Sequence, residues 1–204
     1  VCYQAFFHLE ESIRQGRPAG LQHVFGDWST IYLALSALPE AARAIWFRWN
    51  QYYSDAAFPQ ALPIVFERPH RTLLDVGGNT GKWAIQCARH SPEVAVTILD
   101  LPGQAAVATQ DIAALGLQGR IAVQSCDLLD HSRALPAGFD AIWMSQFLVC
   151  FAEADVRRLL ERAAAALGPD SRLYILDTFW DRQDHEISAY CLQAFSPYFT
   201  CLAN

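Results

Sequence analysis

At 204 residues the chain is long enough for one domain with a sizeable core. Hydrophobic residues make up 52% and charged residues 18%, which excludes an intrinsically disordered chain. A net charge of −6 argues against nucleic acid as the main partner, because phosphate binding needs a basic surface. No apolar run reaches the length of a membrane span, so no membrane partner is expected.

The chain starts at Val1 and its single methionine is Met144, so its start is expected not to be the natural one. Residues 1–66 read as a helical linker or lid segment. Leu38, Ala42, Ile45 and Trp49 recur at helical spacing and predict one apolar face, with Pro39 near the helix start. The aromatic cluster Trp46, Phe47, Trp49, Tyr52, Tyr53 and Phe58 reads as core, a dimer seam, or a lid over a flat ligand.

From residue 71 the pattern alternates. Strands are predicted at 72–76, 94–99, 120–124, 139–144 and 172–176, and helices at 81–90, 103–115 and 153–167. Ser91-Pro92, Gly116 and Gly168-Pro169 stop the three helices. This predicts an α/β fold: a Rossmann-like, doubly wound, mainly parallel sheet behind an N-terminal helical segment. The fifth strand would be an exposed edge, so either natural sequence is missing after Asn204 or a partner covers that edge.

The chemistry-bearing stretch is Asp75-Val76-Gly77-Gly78-Asn79-Thr80-Gly81, where a strand ends in a glycine-rich turn that opens a helix. Three readings compete. A phosphate-binding P-loop needs Gly at 76 and Ser or Thr at 83, where Val76 and Trp83 stand. A dinucleotide fingerprint needs glycines at 79 and 82, where Asn79 and Lys82 stand. The acid-x-Gly-x-Gly-x-Gly turn of S-adenosyl-L-methionine (SAM) enzymes matches at Asp75, Gly77 and Gly81. There Asn79 replaces the middle glycine, and Asn tolerates positive φ. A carboxylate at the mouth of the turn repels a pyrophosphate and suits a cofactor carrying an ammonium and a sulfonium. Asp100, ending the next strand, is placed to accept from ribose hydroxyls. A turn used only for tight strand-to-helix packing is the bland alternative.

The six cysteines form no C-x-x-C pair and read as reduced, mostly buried residues of a cytoplasmic protein. His8, His23, His70, His90 and His131 read as surface or loop residues. No metal site is expected from these spacings.

The chain resembles class I SAM-dependent O-methyltransferases of the plant phenolic and bacterial small-molecule type. The matching residues are Leu74 to Gly81, Asp100-Leu101-Pro102-Gly103, Cys126-Asp127-Leu128-Leu129 and Phe139 to Met144. Gly26 to Ser54 resembles the helical linker of that family. The resemblance implies a SAM-binding methyltransferase domain at 67–204, C-terminally truncated, with an N-terminal dimerisation domain and a final strand pair absent. It implies a small-molecule substrate and a homodimer in the full-length protein. By the same resemblance, Asp75, Gly77, Gly78 and Asn79 lie against the methionine part of SAM, Asp100 holds the ribose and Leu101 sits beside the adenine. Asp127 and Leu128 frame the adenine, and Ser145 stands where the family often has a Lys.

The catalytic position departs from the family. Val149 stands where the plant-type enzymes carry a proton-accepting His, and Asp177 matches an acid that flanks that His. Valine takes no proton. The substrate is then already ionised, or Asp177 or His185 acts as base, or the chain binds SAM without fast catalysis as a scaffold or regulator. Phe147, Phe151, Phe179, Trp180, Tyr190 and Phe195 are candidates to line a pocket for a flat, conjugated substrate, or are ordinary core. An NAD-dependent oxidoreductase is a third, weaker reading.

Overall fold

The computed structural model describes residues 2–203, the side chains of Cys2 and Ser36 excepted. In chain order the elements are α1 (Cys2–Phe6), α2 (Leu9–Gln15), α3 (Ala19–Phe25), α4 (Ile31–Ala34), α5 (Glu40–Val65) and β1 (Thr72–Val76). Then come α6 (Lys82–His90), β2 (Ala95–Asp100), α7 (Pro102–Ala114), β3 (Ile121–Ser125) and β4 (Ala141–Ser145). The last are α8 (Glu153–Ala166), β5 (Arg172–Leu176), α9 (Glu186–Gln193) and α10 (Ser196–Leu202). Packing divides the chain into two units. One is Trp46–Phe147 with Glu153–Leu176, and the other is Val1–Ile45, Leu148–Ala152 and Asp177–Asn204.

The first of these units is built on a five-stranded parallel sheet in the order β3-β2-β1-β4-β5. The chain runs outward from β1 to β3, then returns to β4 on the other side of β1. Right-handed crossovers therefore put α6 and α7 on one face and α8 on the other. This reversal makes the gap beyond the carboxyl ends of β1 and β4 the topological switch point, where open α/β sheets bind ligands.

Leu73, Val96, Ile98, Ile121, Ala141 and Trp143 from the strands pack with Phe58, Trp83, Cys87 and Ile112 in one core. The indoles of Trp83 and Trp143 stack with centroids 3.9 Å apart, and Phe58 meets each edge-on. Burying a side chain such as that of Phe58 stabilises by about 1.5–3 kcal/mol. The start of the sheet is braced by Asp140, whose Oδ2 accepts the N–H groups of Arg71 at 2.7 Å and Thr72 at 2.9 Å. Those bonds, Thr72 foremost, hold the Asp140 carboxyl below its usual range. Arg120 ties the α6–β2 connection by donating to the carbonyls of Ala88, Ser91 and Val94.

In the other unit, α1, α2, α3 and α10 pack together. Gly20 of α3 lies so close to α1 that a Cβ there would come within 2.5 Å of the Ala5 carbonyl oxygen. Ser12 Oγ donates to the His8 carbonyl at 2.9 Å and accepts the Gly20 N–H at 3.4 Å, which fixes α2 against α3. Thr30 caps α4 by accepting the Tyr32 N–H at 3.1 Å.

The predicted elements of the alternating region all form, with ends displaced by a residue or two. Some expectations of burial fail. His70 is buried, not superficial, with Nε2 3.1 Å from the Tyr174 hydroxyl. Of the described cysteines only Cys87 and Cys201 are buried, while Cys191 is exposed; all five are free thiols. The apolar face counted from Leu38 to Trp49 is not a buried face: Leu38 is covered, but Ile45 and Trp49 are exposed. Among the described residues no helix is long and apolar enough to cross a membrane.

Candidate cofactor site

The turn after β1 is shaped by what a side chain would hit. Gly77 has φ +73, and a Cβ there would come 2.4 Å from the Phe147 ring. A Cβ on Gly78 would come 2.6 Å from Asp75 Oδ2 and 2.9 Å from Ile98. Asn79 has φ 53, so the residue replacing the middle glycine takes the left-handed conformation that Asn tolerates. Gly81, at φ +80, opens α6. Lys82 pairs with Asp55 of α5, so the lysine that a phosphate loop would aim at its ligand is engaged elsewhere.

Two carboxyls stand behind this turn. Asp100 Oδ2 accepts the Asn79 N–H at 2.7 Å and Oδ1 accepts the Leu101 N–H at 2.7 Å. Burial nevertheless pushes Asp100 up to about 6, with the two N–H groups pulling the other way. Asp75 is 2% exposed, and its Oδ2 has no hydrogen-bond partner. Burial first, and Asp100 second, hold its carboxyl well above the usual range. Asp75 thus lies buried beneath Gly78 and not open at the mouth of the turn, where the sequence places it. Asn79 Oδ1 and Ser145 Oγ are also buried without a partner. The unpartnered atoms around the turn are thus carboxyl and amide oxygens and a hydroxyl, none of them cationic. A ligand rich in donors and cationic groups fits that set, and a pyrophosphate does not.

Ser145 ends β4, and Gln146 follows with φ 49 while its N–H donates to the Leu176 carbonyl at 2.8 Å. That left-handed step precedes Phe147, the residue over Gly77. Sequence reading did not find Gln146; nothing but its position beside the strand end marks it. Leu128 is buried, and its carbonyl accepts from Arg162 of α8 at 2.5 Å. Arg162 Nε and Nη2 are buried without partners. Asp127 is exposed, with Oδ1 accepting the Leu129 N–H at 2.9 Å. His131, also expected at the surface, is largely covered and pairs through Nε2 with Asp155 at 2.9 Å.

In the other unit, Asp177 accepts the N–H of Thr178 at 2.9 Å and of Val149 at 3.4 Å. Its carboxyl is raised by burial. Tyr32 lies among Cys150, Tyr198 and Asp177, and burial raises its hydroxyl well above the usual range. No spacing rule joins Tyr32 to a residue so far along the chain. His185 is exposed beside the start of α9. Phe179, Trp180, Tyr190 and Phe195 are exposed.

A parallel sheet with this strand order, and a glycine-rich, acid-backed turn at its switch point, defines a nucleotide-type cofactor domain of the Rossmann-like class. The chain belongs to the O-methyltransferase domain family, whose model matches residues 6–200. It is 28% identical over 178 residues to the L-tyrosine C(3)-methyltransferase of Streptomyces lavendulae, covering 87% of this chain and 48% of that protein. It is 35% identical over 180 residues to the 8-amino-8-demethylriboflavin N,N-dimethyltransferase of Streptomyces davaonensis, covering 85% of this chain and 49% of that protein. Among solved structures it resembles the apo form of the S-adenosylmethionine-dependent methyltransferase SibL. That match has 30% identity and a TM-score of 0.72, covering 98% of this chain and 57% of that one. The chain spans about half the length of the curated relatives it matches.

Proposed function

We propose that this chain carries the SAM site of a methyltransferase acting on an oxygen of a small aromatic or conjugated molecule. The observation that carries the reading is the acceptor set at the switch point: unpartnered Asp75 Oδ2, Asn79 Oδ1 and Ser145 Oγ, with Asp100 behind the turn. SAM supplies an electrophilic methyl group on a sulfonium. Asp75 faces the ammonium, and the backbone of Gly77, Gly78 and Asn79 lies against the methionine part. Asp100 accepts from the ribose, while Leu101, Asp127 and Leu128 bound the adenine. Residues 67–204 are read as the methyltransferase domain and 1–66 as its lid segment.

Oxygen is chosen on the family to which the chain belongs, although the two relatives named act at carbon and nitrogen. Val149 supplies no base, and both carboxylate oxygens of Asp177 accept from backbone N–H groups. The reading therefore favours a substrate already ionised at neutral pH, such as a carboxylate or an acidic phenol, for which positioning replaces proton removal. It also takes the full-length protein as a cytoplasmic homodimer with a small-molecule substrate and no metal or nucleic acid in the reaction.

Calorimetric titration with S-adenosylhomocysteine tests the cofactor assignment. Saturable one-to-one binding is expected, weakened by Asp100→Ala; a folded protein that takes up no ligand overturns it. Transfer of a labelled methyl group to a panel of hydroxylated and carboxylated aromatics tests the acceptor.

A further inference from the structure

Away from the switch point, three side chains converge between α2 and α3. Glu11 Oε2 lies 2.9 Å from His23 Nε2 and 3.6 Å from His8 Nδ1. All three ligand-type atoms fall within 4.8 Å of one another. The two imidazoles stack with centroids 3.9 Å apart at 11°. We propose that His8, Glu11 and His23 form a binding site for a borderline divalent transition metal of the zinc class, clipping α2 to α3.

The donor set argues for that class of ion. Two imidazoles and one carboxylate suit zinc, cobalt or nickel, whereas magnesium and calcium prefer all-oxygen sites. Three protein ligands leave a further position for water or a fourth group. The carboxylate is already oriented: Gln15 Nε2 donates to Glu11 Oε1 at 2.9 Å, leaving Oε2 turned to the imidazoles. The neighbouring cation does not compete, because Arg14 pairs with Glu10 at 2.7 Å. The scaffold under the ligands is fixed by Ser12, which bonds both His8 and Gly20. An open surface depression of about 290 Å³, lined by Phe7, His8, Glu10, Glu11, Arg14 and Gln15, adjoins two of the three ligands. A metal lies in the plane of each imidazole that binds it, so uptake requires the stacked rings to splay. His23, about half exposed, has room to turn.

The test uses the full chain without a polyhistidine tag. Zn²⁺ is titrated in competition with a chromophoric chelator, and Co²⁺ uptake is followed by its visible absorption. One-to-one uptake is expected, with a rise in melting temperature that a chelator reverses. His23→Ala and Glu11→Gln should each weaken binding by at least about tenfold, with far-ultraviolet circular dichroism confirming that both variants fold. If either variant unfolds, His8→Asn takes its place with the same expectation. His90→Ala, outside the cluster, should leave the titration unchanged. The proposal fails if no competition is seen, if affinity is unchanged in the folded cluster variants, or if His90→Ala weakens binding as much as they do.

Discussion

The Asp100 carboxylate holds the backbone N–H of Asn79 at 2.7 Å, joining the end of β2 to the one non-glycine residue in the β1 turn with a left-handed φ. The acid expected to hold a ribose therefore also fixes the shape of the loop. Ligand contact and loop geometry are coupled through one side chain.

That coupling gives a pH dependence. Asp100 is raised from 3.8 to about 6, so its ionisation disfavours the ligand-free folded state. The penalty is absent below about pH 4, grows through about pH 6 and is complete above it, reaching on the order of 3 kcal/mol. Asp140, lowered by its bonds to Thr72 and Arg71, acts with the opposite sign. Its contribution is full above the usual carboxylate range and fades as pH falls through its lower native value. A ligand with an ammonium favours the ionised form of the Asp75–Asp100 pair. Affinity for S-adenosylhomocysteine is therefore expected to fall at least about tenfold between pH 7.5 and 5, with net proton release on binding at pH 6. Calorimetry in buffers of different ionisation enthalpy measures both; a flat profile argues against the coupling.

The glycines of the turn should not be equivalent to glycines elsewhere. Gly78→Ala drives a methyl into Asp75 and Ile98, and Gly77→Ala combines positive φ with the Phe147 ring. Both are expected to abolish measurable ligand binding. Gly116 also has positive φ but open space around it. Gly116→Ala should cost about 1–2 kcal/mol of stability and leave affinity unchanged, as denaturation and titration of the three variants would reveal.

Asp177 distinguishes a base from a brace. An Asn side chain there keeps one acceptor for Thr178 or Val149 and loses the other, so Asp177→Asn should cost about 1–3 kcal/mol of stability. With an acidic acceptor substrate, the saturated methyl-transfer rate is expected to drop less than about tenfold, against roughly 10²–10⁴-fold for the loss of a general base. A large drop in rate for a variant of near-native stability would assign proton removal to Asp177.

Arg162 donates to the carbonyl of Leu128, in the segment proposed to frame the adenine. Arg162→Met should free that carbonyl and loosen the segment proposed to frame the adenine. Affinity for S-adenosylhomocysteine is expected to fall more than affinity for methionine-like fragments, which are proposed to bind at the other end of the turn. Equal losses for both would mean a general loss of packing.

Much of the sheet was legible because period-two and period-3.6 patterns alternate cleanly from Thr72 onward and Gly or Pro punctuates them. The Asn79 conformation was legible because few residues tolerate positive φ. The apolar count from Leu38 to Trp49 misled because spacing says which residues share a face, and not whether anything packs against it. His70 was misread because it packs against Tyr174, a β5 residue far along the chain. Tyr32 with Cys150 and Asp177, and Arg162 with Leu128, were invisible for the same reason: tertiary packing makes these neighbours, and no local pattern records it.

The stacked pair Trp83–Trp143 has an optical consequence. Trp83 lies in the first turn of the helix that Gly81 opens, and its partner sits on β4, two residues before Ser145. Two parallel indoles at this separation couple electronically, giving the chain a label-free chromophore wired to both strand ends of the switch point. Ordering of the glycine turn by a ligand should then be visible as a change in near-ultraviolet circular dichroism, before any substrate is known.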